Sequence, residues 1–143
     1  MSSQLFPDVN VWVALHHQVH EHHAKALAWF EALDSEKTLV FCRQTQLGFF
    51  RLLTTYAVMG DEILTQRQCW ARYRQWISDG KATLENEPAT VSLAFERRTM
   101  ADASSPKEWM DAYLAAFAET AGVQLVTFDR ALAAKAKGAV LLA

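Results

Sequence analysis

Apolar and polar positions along this chain follow two alternating rhythms. Short runs dense in apolar or β-branched residues fall at 4–6, 38–42, 82–84, 124–127 and 140–142 and read as strands. Between them, apolar residues recur every three or four positions over 10–16, 21–33, 44–56, 65–78, 90–101, 108–121 and 130–136, which predicts helices. Strands alternating with helices predict an α/β fold whose parallel sheet is covered on both faces. Ser105-Pro106-Lys107-Glu108 reads as a capping box that opens the 108–121 helix with proline at its first position. Gly122 reads as its stop, where positive φ is wanted.

The strand runs near the two ends of the chain each lead into an acid. Asp8 follows Leu5-Phe6-Pro7, and Asp129 follows Val126-Thr127-Phe128. A third acid, Asp111, stands early in the 108–121 helix. In an open α/β sheet the carboxyl ends of strands border the ligand crevice. Acids gathered there repel one another unless a cation neutralises them, and Mg²⁺ is a hard ion suited to a few carboxylates and several waters. The pattern points to a metal-dependent enzyme acting on a phosphate-containing substrate. Taken singly, each acid also has a structural use: Asp8 and Asp129 as helix caps, Asp111 as a complement to a helix dipole.

Composition narrows the field. A length of 143 residues suits one domain, 1–143, with a substantial core. No apolar run approaches the roughly 20 residues that span a bilayer, and no basic-then-apolar leader opens the chain, so a cytoplasmic protein without membrane attachment is expected. Cys42 and Cys69 are too few for a disulfide framework and read as core thiols in a reducing compartment. A net charge of −2 argues against a dedicated DNA-binding module. It leaves an RNA-cleaving enzyme open, because clustered acids lower the net charge. Arg43, Arg51, Arg67, Arg72, Arg74, Arg97, Arg98 and Arg130 are candidates for backbone contacts, although solvated helix faces are their ordinary place. His16, His17, His20, His22 and His23 read as a helix end, a turn and the next helix start rather than as a metal site. No serine elbow or phosphate-cradling glycine loop occurs, and neither cysteine has an adjacent base. The five tryptophans read mainly as packing residues.

Four short motifs, in order, carry a resemblance. Asp8-Val9-Asn10-Val11, Thr45-Gln46-Leu47-Gly48-Phe49-Phe50-Arg51, Asp111-Ala112-Tyr113-Leu114-Ala115-Ala116 and Thr127-Phe128-Asp129-Arg130 resemble the PIN-domain ribonucleases, and among them the VapC toxins of bacterial toxin–antitoxin pairs. The resemblance spans nearly the whole chain. It implies a single α/β/α sandwich with a central parallel sheet, Mg²⁺ or Mn²⁺ at the acidic site, and endoribonuclease activity through metal-activated water. It also implies a homodimer restrained by a cognate antitoxin. Position by position, Asp8, Asp111 and Asp129 take metal-binding and catalytic roles, with Asn10 and Thr127 supporting them. Many relatives carry glutamate where this chain has Gln46. Gln46 is therefore expected either to orient a water at the site or to be a plain helix-start residue, and a second metal is expected to bind less well.

Other readings compete. A receiver-like signalling domain would share the parallel sheet and rim acids, but the third predicted strand ends Leu84-Glu85-Asn86 without an acceptor aspartate. A haloacid dehalogenase-type phosphatase would want an acid where Asn10 stands. The third reading is a catalytically weakened relative kept for partner binding. The apolar-rich stretches 29–33 and 49–53 are expected to contribute a partner surface, with the core claiming part of each.

Overall fold

The computed structural model describes residues 3–143. In chain order the elements are β1 (Gln4–Pro7), α1 (Val9–His16), α2 (His23–Glu31), β2 (Thr38–Phe41), α3 (Arg43–Leu53) and α4 (Tyr56–Met59). A 3₁₀ turn (Gly60–Glu62), α5 (Gln66–Ser78), β3 (Ala82–Leu84), α6 (Val91–Arg97), α7 (Glu108–Ala121), β4 (Gln124–Thr127), α8 (Arg130–Lys135) and β5 (Val140–Leu141) follow. The five strands form one parallel sheet in the order β3-β2-β1-β4-β5. The expected α/β sandwich is present. Its strand order differs from the 2-1-3-4-5 order of receiver domains, which removes that reading.

Alternate residues of each strand serve opposite faces, so the core is two layers. Leu5, Leu39, Phe41 and Val126 face α1, α2, α3 and α5, around the fully buried Trp12. Phe6, Val40 and Leu125 face α6, α7 and α8, around Phe117. Trp12 stacks on Phe41 with ring centroids 3.8 Å apart and meets Trp76 edge-on at 5.2 Å. Of the five tryptophans expected to pack, Trp12, Trp29 and Trp76 join the core cluster, whereas Trp70 and Trp109 are exposed. Both cysteines are buried and free, as read.

Some boundaries moved, for identifiable reasons. The 44–56 helix ends at Leu53, and a short α4 follows after Thr54 and Thr55 hydroxyls turn back onto the carbonyls of Phe50 and Arg51. Cys42 is not the last strand residue but the N-cap of α3, whose Thr45 hydroxyl accepts from the Cys42 amide at 3.0 Å. The capping box expected at 105–108 does not form. Lys107 caps α7 in helical geometry with no side-chain bond, and Glu108 turns to Lys135 instead. The reciprocal box occurs at Thr65 and Gln68, opening α5. Gly122 does end α7, at φ +69°.

Gly48 brings α3 close to α1. A Cβ placed there would stand 2.6 Å from Val9 Cγ2.

Candidate active site

The strand order reverses direction between β1 and β4: the chain runs from β1 outward through β2 and β3, then returns to the other side for β4 and β5. A crevice opens at such a switch point, beyond the carboxyl ends of the strands. Asp8 leaves β1 and Asp129 leaves β4 at this place.

Both acids cap helices and line the crevice at once. Asp8 N-caps α1, with Oδ1 accepting from the Val11 amide at 3.3 Å, while its own amide donates to Val126 O at 2.9 Å. Its Oδ2 accepts from the Thr127 hydroxyl. Thr127 Oγ1 in turn accepts from the Asp129 amide at 3.0 Å, so one buried hydroxyl ties the two acidic strand ends together. Asp129 N-caps α8, its Oδ1 accepting from the amides of Ala131 and Leu132 at 2.8 and 3.2 Å. The third acid comes from α7, where Asp111 lies in the first turn.

Asp8, Asp111, Asp129 and Asn10 line one cavity of about 690 Å³, together with Gln44, Thr45, Leu47, Gly48 and Arg51 of α3. Thr127 stands behind this wall, bonded to Asp8. Burial pushes the Asp8 carboxyl above the usual aspartate range; its hydrogen bonds from Thr127 and the α1 amides oppose that, and the charge of Asp129 adds to it. Burial also raises Asp111, Lys135 lowers it, and Asp129 and Glu108 raise it. The charge of Asp129 thus disfavours ionisation of both Asp8 and Asp111.

Two further side chains complete the site, and one of them, Lys135, is absent from the sequence reading. Lys135, in the last turn of α8, places Nζ 2.7 Å from Glu108 Oε2 and 3.7 Å from Asp111 Oδ2. The only sequence signal was its place a turn and a half beyond Asp129 on the same short helix. Arg51, one of the basic candidates, reaches the cavity because it lies on the α3 face that carries Gly48.

Gln46 does not line the cavity, which sets it against the water-orienting reading and with the plain helix-start one. Its side chain is buried away from the acids, accepting from the Arg43 guanidinium and bonded to the Tyr73 hydroxyl. Helical spacing explains this: Gln44, Thr45, Leu47 and Gly48 border the cavity, and Gln46 turns to the buried side of α3. No acidic residue of α3 lines the cavity.

The histidine segment matches the turn that was read. α1 ends at His16, His23 opens α2 with its Nδ1 2.7 Å from Ala14 O, and His22 stacks on Phe128 at 4.4 Å. The buried His17 has Nδ1 3.1 Å from Glu62 Oε2. The core claims much of the apolar stretches 29–33 and 49–53. Phe49 and Leu53 are buried, and Trp29, Phe30 and Leu33 pack on the core. The exposed apolar side chains beside the acids are Leu47 and Met110.

The PIN domain profile matches residues 5–138, nearly the whole chain. The chain belongs to the PIN domain family. It is similar to ribonuclease VapC41 of Mycobacterium tuberculosis, 39% identical over 131 residues that cover 89% of this chain and 90% of the relative. Among solved structures, M. tuberculosis VapC20, a sarcin–ricin loop cleaving toxin, matches with a TM-score of 0.64 at 18% identity, covering 91% of this chain and 93% of its own. PAE2754 from Pyrobaculum aerophilum matches with a TM-score of 0.59 at 24% identity, covering 97% and 83%. These two establish the fold.

In this PIN domain the donor set fits a hard divalent cation: the acids offer only carboxylate oxygens, one of them buried, with no thiolate or imidazole among them. Among the described residues, no three His, Cys, Asp or Glu side chains already stand close enough to clasp an ion. The carboxylates share the cavity wall, with Asp8 drawn to Thr127 and Asp111 to Lys135. Among the described residues, no helix is long and apolar enough to cross a membrane.

Proposed function

We propose that this chain is a Mg²⁺- or Mn²⁺-dependent endoribonuclease, the toxin of a type II toxin–antitoxin pair acting in the cytoplasm. The observation that carries the reading is that Asp8, Asp111 and Asp129 all line one cavity at the strand switch point, in a chain 39% identical to ribonuclease VapC41.

Asp8, Asp111 and Asp129 would hold the cation. When bound, it supplies an activated water and positive charge for the scissile phosphate. The protein's own work is placement. Thr127 fixes the Asp8 carboxylate in one orientation and steadies the start of α8. Asn10, exposed beside Asp8, can hydrogen-bond the attacking water or a phosphate oxygen. Arg51 brings a guanidinium to the same cavity, where it can pair with the RNA backbone. Hydrolysis breaks the P–O3′ bond and leaves 5′-phosphate and 3′-hydroxyl ends. With no acid on the α3 wall, the site favours one cation over two.

A homodimer and a cognate antitoxin complete the proposal. Leu47 and Met110, exposed beside the acids, offer an apolar foothold for an antitoxin segment, and an arginine of that segment could neutralise the acids.

Purified protein should cut RNA only with Mg²⁺ or Mn²⁺, and chelator or Asp8→Asn should reduce cutting to background. Metal-independent cleavage, or an active Asp8→Asn enzyme, would defeat the assignment.

A further inference from the structure

A second cavity, of about 320 Å³, opens on the same edge of the sheet as the acidic site. It lies at the carboxyl ends of β2 and β3, where Cys42, Arg43 and Gln44 face Leu84, Glu85, Asn86 and Glu87, and Tyr113 and Phe117 of α7 close the far side. Gln44 lines both cavities, and α7 presents Asp111 and Leu114 to the first and Tyr113 and Phe117 to the second. Neighbouring strands lie about 4.8 Å apart, so the second cavity starts about 5–10 Å from Asp8 along the sheet edge. A single strand of RNA crossing the acids would reach it with a nucleotide next to the scissile phosphate.

The lining selects a base rather than a phosphate. Glu85 and Glu87 repel the backbone and Arg43 is engaged by Gln46, while Tyr113 and Leu84 give the cavity apolar walls. The Tyr113 hydroxyl donates to Glu87 Oε2 at 2.5 Å, which holds an exposed carboxylate in place. Burial and the Glu87 carboxylate both raise the Tyr113 pKa, so the hydroxyl remains a donor at neutral pH. Glu85 is anchored from the other side, accepting from Gln4 Nε2 at 3.3 Å. Sequence-selective RNA recognition reads the Watson–Crick edges of unpaired bases. A carboxylate offers only acceptors. Guanine alone presents two adjacent donors on that edge, N1–H and N2–H. Adenine and cytosine pair a donor with an acceptor, and uracil flanks its one N–H with carbonyls.

We propose that this cavity is a nucleobase subsite in which Glu87, held by Tyr113, accepts both donors of a guanine beside the cleaved phosphate. The inference rests on the ribonuclease reading for its substrate, but the site can be tested without catalysis. The full chain would be titrated with GMP, IMP, AMP and CMP and followed by backbone amide NMR. GMP should shift amides at 84–87 and 113. IMP, which lacks the N2 amino group, should bind about fivefold to tenfold more weakly, and AMP and CMP at least about tenfold. Glu87→Gln should erase the preference for GMP and favour AMP and CMP, whose adjacent donor and acceptor match an amide. Tyr113→Phe should weaken the preference without reversing it. In parallel, cut sites in random-sequence RNA should carry guanine at one flanking position with wild-type protein and lose it with Glu87→Gln. Shifts elsewhere, equal affinities for the four nucleotides, or an unchanged preference in Glu87→Gln would overturn the subsite. RNA cut without base preference would overturn it while sparing the ribonuclease reading. Selective GMP binding by a protein that cuts no RNA would support the subsite and sink that reading.

Discussion

Lys135 Nζ stands 3.7 Å from Asp111 Oδ2 while holding Glu108 Oε2 at 2.7 Å, which makes it an internal counter-ion of the acidic site. It offsets repulsion between Asp111 and its neighbours Asp129 and Glu108. A cation arriving at Asp111 meets that positive charge. Lys135→Met should therefore act in opposite directions on two measurements. Without metal the fold should lose up to about 1 kcal/mol by denaturant titration. Mn²⁺ affinity by calorimetry should rise about threefold to tenfold. Weaker Mn²⁺ binding would show that Lys135 organises the site instead.

Asp8→Asn should stabilise the metal-free protein at neutral pH. The buried carboxyl has a folded pKa above its unfolded value, so its contribution favours the fold at low pH and is lost as pH rises through the raised pKa. Asparagine caps α1 equally well and carries no charge. In chelator, thermal unfolding should show a gain of a few degrees near pH 7 that vanishes toward pH 4. A gain that persists at low pH would exclude desolvation of the charge as its cause.

Thr127→Val keeps the shape and removes the hydroxyl that serves both Asp8 and Asp129. The buried Asp8 carboxylate and the partly buried Asp129 amide lose a partner, and about 1–3 kcal/mol of stability should go with them. Asp8 then loses a bond that holds its pKa down, so the acid limb of the cleavage–pH profile should move to higher pH. Thr127→Ser should restore both properties.

Gln46→Glu should leave Mg²⁺ and Mn²⁺ affinity within about twofold, because residue 46 faces Arg43 and Tyr73 rather than the cavity. Calorimetry decides this. A marked tightening would place its side chain among the acids.

Gly48→Ala should cost about 1–3 kcal/mol by overpacking, since a Cβ would stand 2.6 Å from Val9 Cγ2. Denaturant unfolding reads the loss directly. The same change would push α1, which Asp8 caps, and so should lower activity beyond the loss of folded protein.

The strands, most helices and the two acids at strand ends were legible in the sequence because they depend on local rules. Period-2 and period-3.6 patterns separate strand from helix, and Gly122 marks a stop by its backbone freedom alone. The motifs around Asp8, Asp111 and Asp129 were legible for the same reason, each being a few consecutive residues.

What required the tertiary structure is everything set by contacts distant along the chain. Strand order decides that β1 and β4 are neighbours, and only then can Thr127 bond Asp8 across 119 positions. Lys135 meets Asp111 because α7 and α8 pack together, a contact with no periodic signature. Ser105 failed to cap α7 because a capping motif states a local preference, whereas Glu108 found a stronger partner in Lys135. Gln46 shows the remaining limit: adjacent residues on a helix point about 100° apart. Which of Thr45, Gln46 and Gly48 meets the acids is therefore decided by how α3 docks on α1. The chain sequence selects the chemistry, and long-range packing selects which side chains share in it.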